Sequence, residues 1–164
     1  MSRDEAWQDV TPDYFDAVPS AGGVAVRMGA NVAATLHHHA DRLVRALEEP
    51  GDPDEMLARL FGDAYPDPAA SQDFRRRQAR WLQDSSAPRR VRDQLAVAPN
   101  HVLSPPEVDD WLVTFALARF VDAPPRRRRR RRRLSRPVLE ETWFNHVQES
   151  LVLAAHPELL GENP

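Results

Sequence analysis

Arg136-Pro-Val-Leu-Glu-Glu-Thr-Trp-Phe-Asn-His-Val-Gln-Glu-Ser-Leu-Val-Leu-Ala-Ala155 is the stretch around which the rest of the chain is organised. Leu139, Trp143, Val147 and Leu151 recur four residues apart, and Phe144 and Ala155 widen that stripe at helical spacing. A helix of about 20 residues is about 30 Å long, enough to cross a small domain. Trp143 and Phe144 can each bury about 150–250 Å². The spacing predicts a long closing helix on which the other amphipathic segments pack.

Upstream, four more helical patterns and one extended pair complete the expected architecture. Ser104-Pro-Pro-Glu107 carries the cleanest start signal: a capping serine, proline at the first helical position and glutamate placed for a capping box. Val108, Trp111, Leu112, Phe115 and Phe120 follow at helical spacing to about Asp122, and Pro124-Pro125 ends the run. Earlier, Asn31 is a candidate cap for a helix to about Glu49, with Val32, Leu36, His39, Leu43 and Leu47 as its buried stripe. A short helix over Asp54–Phe61 turns Met56, Leu57, Leu60 and Phe61 inward, and Gly62–Pro68 reads as an extended surface loop. Ser71 is a candidate cap for a helix carrying Phe74, Trp81 and Leu82, with Ser85-Ser-Ala-Pro88 interrupting it before Val91 and Leu95. At the N-terminal side, Tyr14–Val18 and Gly23–Met28 flank the turn-rich Pro19–Gly22, and Val24, Val26 and Met28 alternate as a half-buried strand does. The expected fold is mainly α: a single-domain bundle of about five helices with a small N-terminal β-hairpin. Residues 1–13 are expected to be a flexible terminus, 14–164 one helical domain, and 123–135 an arginine-rich loop without regular structure.

Composition narrows the chemistry. The 164 residues suffice for one domain with a real core. No lysine occurs, so all 22 basic residues are arginines. Eight of them, Arg126, Arg127, Arg128, Arg129, Arg130, Arg131, Arg132 and Arg133, are consecutive; the other 14 face 25 acidic residues, a balance of −11. An acidic body with one intensely basic segment points to an interaction element. Eight guanidiniums can grip phosphates by forked hydrogen bonds, giving affinity for nucleic acid or an acidic partner without sequence choice. The competing interpretation is a solvated low-complexity expansion. Ser135, after Arg132-Arg-Leu, is spaced as a basophilic kinase site, but a plain cap of the closing helix is the favoured reading.

Cysteine is absent, which removes disulfides, thiolate catalysis, cysteine-ligated zinc and thiol redox sensing within this chain. His37-His38-His39 project about 100° apart on a helix and cannot converge on one ion. The acidic pairs Glu48-Glu49, Asp109-Asp110 and Glu140-Glu141 diverge in the same way, and six scattered glycines form no phosphate loop. The chain is read as non-enzymatic, with no catalytic residue, metal or cofactor assigned. The acidic start lacks a signal-peptide pattern, and the longest mainly apolar run, Trp111–Val121, is about half a membrane span. A cytoplasmic protein without membrane contact is expected.

Leu60-Phe-Gly-Asp-Ala-Tyr65, Asp73-Phe74-Arg75, Trp111-Leu112 and Trp143…Val147-Gln-Glu-Ser-Leu-Val152 together resemble an actinobacterial family of unknown function that includes the oxidative-stress transcriptional regulator AosR. The resemblance covers about residues 22–156, and its motif residues are Tyr65, Phe74, Arg75, Trp111, Trp143, Gln148, Glu149 and Ser150. It implies a helical regulator of transcription acting through a sigma factor or RNA polymerase, with DNA as a further partner. The regulator's kind of redox sensing uses a cysteine pair, which this chain lacks. The arginine run stands outside the family pattern. A homodimeric adaptor without nucleic-acid contact is the alternative.

Overall fold

A computed structural model describes residues 14–49, 51, 56, 58, 65–79, 84–121 and 136–161, and the side chains of 136–142 are outside that description. The elements with described bounds are β1 (Phe15–Ser20), β2 (Gly23–Met28), α1 (Ala30–Glu48), α2 (Pro68–Gln78), α3 (Ser86–Val97), β3 (His101–Leu103), α4 (Pro105–Val121) and α5 (Arg136–Ala155), followed by a 3-10 turn, Pro157–Leu160. The fold is the expected helical bundle with its N-terminal hairpin. The expectations for residues 1–13 and 123–135, including Arg126–Arg133 and Ser135, lie outside the described residues, as do most of the short helix expected over 54–61 and Trp81 and Leu82.

β1 and β2 pair antiparallel from Phe15↔Met28 to Ser20↔Gly23, so Ala21-Gly22 forms a two-residue connection. Gly22 takes φ 88°, a left-handed position that glycine occupies at little cost. The hairpin is larger than expected, because β3 adds to its β2 edge through Val24↔Leu103 and Val26↔His101. Asn100 fixes this junction by accepting from the Met28 amide at 2.8 Å.

Phe15, Val24, Val26 and Met28 of the hairpin enter one core with Leu36, Leu43, Val91, Leu95, Leu103, Trp111, Phe115, Phe144, Val147 and Leu151. α1 packs on α3 and α4, α3 on α4, and α4 on α5, which also packs on β1 and β2 of the hairpin. The closing helix is therefore central, touching both the bundle and the sheet. Its buried residues among 143–155 are Phe144, Val147, Leu151 and Ala154, while Trp143 and Ala155 are half-buried against them. On α1 the buried face includes the expected Val32, Leu36, His39 and Leu43, with Leu47 half-buried at its edge. A second apolar cluster takes Leu47, Met56, Ala79, Leu117 and Phe120.

Two caps differ from the sequence expectation, and the expected interruption before Val91 is present. α1 starts at Ala30 with Gly29 as its cap, not Asn31, because the chain passes from β2 straight into the helix while the Gly29 amide bonds the Tyr14 carbonyl. α2 starts at Pro68 with Asp67 as its cap; the Asp67 carboxylate accepts from the Ala69 and Ala70 amides at 3.3 and 3.1 Å. Pro68 is thus the first helical residue, where its missing N–H is harmless, and Ser71 lies inside the helix. α3 begins anew at Ser86 with Pro88 in its first turn, so the middle segment is two helices.

The glutamate half of the expected Ser104–Glu107 box forms, and the Ser104 hydroxyl turns to the Glu107 carboxylate. Glu107 Oε2 accepts from the Ser104 amide at 2.7 Å and from the Ser104 hydroxyl at 2.6 Å. The Ser104 hydroxyl and then its backbone N–H hold the Glu107 carboxyl below its ordinary value of 4.5. A carboxylate with a lowered native pKa adds stability above its unfolded pKa and loses it as pH falls through the native value. Glu107→Gln is expected to cost about 1 kcal/mol at neutral pH. That difference should shrink below pH 4.5. Urea titrations of both proteins at neutral and acidic pH check it, and a gap that stays constant with pH would reject the assignment.

Candidate functional site

α4 offers its inner positions Val108, Trp111, Phe115 and Ala118 to the core, which leaves Leu112, Val113 and Ala116 on the outer side. α5 lies alongside with Gln148, Glu149, Val152 and Leu153 facing the same space. Together these residues line an open groove of about 540 Å³. Val113 is 50% exposed, a large apolar side chain left in water beside half-buried Leu112, Val152 and Leu153.

The Gln148-Glu149-Ser150 segment divides its work across this groove. Gln148 Nε2 donates to the Leu112 carbonyl at 3.2 Å, tying α5 to the backbone of α4. Ser150 donates to the His146 carbonyl at 2.7 Å, one turn back on its own helix. Glu149 is exposed on the groove wall. The surface is thus apolar at its floor, stapled by one amide and rimmed by a carboxylate.

Trp111 belongs instead to the scaffold. Fully buried, it donates its indole N–H to Gln94 Oε1 at 2.8 Å; Gln94 Nε2 in turn donates to Glu107 Oε1 at 2.9 Å. This chain of hydrogen bonds fastens α3 to the start of α4 and fixes the orientation of the Gln94 amide. Trp143 is half-buried and tilts against Phe144 at 5.8 Å. Phe144 stacks on Phe115 at 6.0 Å and takes the edge of His39 at 4.7 Å.

Tyr65, Phe74 and Arg75 are placed at α2, apart from the groove in sequence and in neighbours. Tyr65 meets Phe74 edge-on at 6.0 Å. Ser71 is fully buried and locks the preceding loop, its Oγ accepting from the Tyr65 amide at 3.0 Å and donating to the Tyr65 carbonyl at 2.9 Å. Of the three histidines, His39 is buried, His37 half-buried and His38 exposed. Among the described residues no three His, Asp or Glu side chains gather as metal ligands.

The groove and the Tyr65 region include residues that carried the family resemblance. Residues 14–155 match a domain of unknown function, DUF2017. The chain belongs to the DUF2017 family. No curated protein and no solved structure shows a match. The DUF2017 match begins just before β1 and ends with the last residue of α5, so the first strand belongs to the family unit, which extends further toward the N-terminus than the resemblance suggested. Sequence reasoning named Gln148, Glu149 and Leu112 but not Val113, Ala116 or Leu153. Their signal was available: Leu112, Val113 and Ala116 form a second apolar stripe on a helix whose first stripe already fills the core.

Proposed function

We propose that this DUF2017 protein is a non-enzymatic cytoplasmic regulator of transcription in the oxidative-stress response, working through a protein partner, RNA polymerase or a sigma factor. The α4–α5 groove is the partner surface in this reading, and Arg126–Arg133 add affinity for DNA or an acidic partner. The exposed apolar floor around Val113, beside the Gln148 staple, is the observation that supports it most directly. The motif resemblance to the oxidative-stress regulator supplies the partner class. Among the described residues no helix is long and apolar enough to cross a membrane.

Placing charge on the groove tests the reading. Val113→Glu and Leu153→Glu are expected to reduce capture of polymerase or sigma subunits at least tenfold while leaving the melting temperature near that of the parent. Full capture by both variants would remove the groove from the proposal. Deleting Arg126–Arg133 is expected to weaken binding to a promoter fragment and to flatten the plot of log affinity against log salt by about 5, for about six phosphates released.

The same apolar face favours a second reading, an adaptor that associates with its own copy. Light scattering separates the two: a dimer that Val113→Glu converts to monomer supports the adaptor, and a monomeric parent supports the hetero-partner.

A further inference from the structure

A second cavity, of about 440 Å³, lies beside α2 and is lined by Tyr65, Ala70, Asp73, Arg76 and Arg77. We propose that this cleft binds single-stranded nucleic acid, with the Tyr65 ring stacking on a base and the Arg76 and Arg77 guanidiniums holding the adjoining phosphates. Neither the α4–α5 groove nor the arginine run takes part.

The parts are built for this in a definite order. Asp67 and Pro68 start α2, and Ser71 bonds both backbone groups of Tyr65, so the loop carrying the ring is fixed against the helix. Phe74 supports the ring edge-on, yet Tyr65 remains 46% exposed. An aromatic side chain held firmly and left half in water is costly in hydrophobic terms and useful as a stacking platform. Arg76 and Arg77 stand in the last turn of α2 and are exposed. Arg76 has a long 3.7 Å ion pair to Asp73, both groups well solvated, and such a contact is weak enough to exchange for a phosphate.

The Tyr65 ring decides between nucleic acid and an acidic peptide. Its exposed face offers stacking that a base can use and an acidic side chain cannot, while the Asp73 carboxylate repels either anion and can accept from a base amino group. A single strand is favoured over a duplex because only unstacked bases offer a face to Tyr65.

The test uses the full chain with and without Arg126–Arg133, each substitution being made in both, and a labelled mixed-sequence 12-nucleotide single strand, followed by fluorescence anisotropy across a salt series; the chain lacking the run decides. Tyr65→Leu is expected to weaken binding by about 5- to 150-fold, and Tyr65→Phe to retain it. The Arg76→Gln, Arg77→Gln double variant should lower the salt slope by about 1.4. A folded Tyr65→Leu protein that binds as the parent does overturns the site. If that variant loses its fold, the exposed arginine pair carries the decision, and an unchanged slope overturns the site equally. Displacement by poly-glutamate as effective as by unlabelled strand, charge for charge, would also overturn it and assign the cleft to acidic peptides.

Discussion

Trp111→Ala is expected to remove about 3–5 kcal/mol of stability, the range for truncating a large buried aromatic. A domain with about 5–15 kcal/mol in total would be left marginal or unfolded at ambient temperature. The size follows from position. Trp111 is fully buried, 5.6 Å from Phe115 in a T-shaped contact and 6.5 Å from His101 of β3, so one side chain joins strand, core and helix. Its loss also strips Gln94 Oε1 of a 2.8 Å hydrogen bond and loosens the link to Glu107. Trp111→Phe separates the contributions, keeping most of the apolar contact while losing the indole N–H, at about 1–3 kcal/mol for the unpaired amide. Urea denaturation followed by circular dichroism measures both. A Trp111→Ala loss under 1 kcal/mol would show that the pocket collapses without penalty, contrary to its close packing.

Helices with long apolar stripes were legible because period and burial agree on them. Val147 and Leu151 of α5, Leu36 and Leu43 of α1, and Trp111 and Phe115 of α4 are all buried as their spacing requires. The glutamate half of the capping box at Ser104 was legible because all its partners sit within four residues. Two features depended on distant groups and were not, and a third was local but misread. β3 is three residues long, and its ladder partner lies on β2, far earlier in the chain. Gly29 became the α1 cap because its amide was claimed by Tyr14, a fact of hairpin register and not of local propensity. Asp67-Pro68 did hold a start signal, but the neighbouring prolines read as a loop and the choice passed to Ser71. Ser71 was then found serving Tyr65, six residues back, as a lock on the loop.

The same division applies to the surfaces. Trp111, conspicuous among the family motifs, is scaffold, and so in part are Gln148 and Ser150, whose side chains bond helix carbonyls. What remains exposed is Glu149 with Val113 on one side of the molecule's helical body, and Tyr65 with Arg76 and Arg77 at α2. Burial distinguishes these sets, and spacing along a sequence does not. A residue such as Tyr65 looks like any loop aromatic until its backbone is seen pinned on both sides.

The sharpest constraint on the sheet is Gly23, and Gly23→Ala is expected to destabilise by about 3 kcal/mol or more through forced overpacking and backbone strain. Gly23 opens β2 opposite Ser20 with φ 156°. A Cβ there would stand 1.8 Å from the Leu103 carbonyl oxygen, 2.9 Å from its carbon and 3.2 Å from Ser104 Cα. All three are backbone atoms, so no side-chain rotation relieves the overlap. β3 would have to leave β2, taking with it fully buried Leu103 and the Ser104 cap of α4. Gly22→Ala, one residue away, is the control. Nothing lies within 4 Å of its Cβ position, and its φ of 88° alone should cost about 1 kcal/mol. Denaturant midpoints of the two variants thus weigh close approach against conformation. Equal losses would mean that the β2–β3 contact yields freely. A larger loss at Gly23, together with a weakened pH dependence from Glu107, would show that the methyl group acts through β3 on the α4 cap.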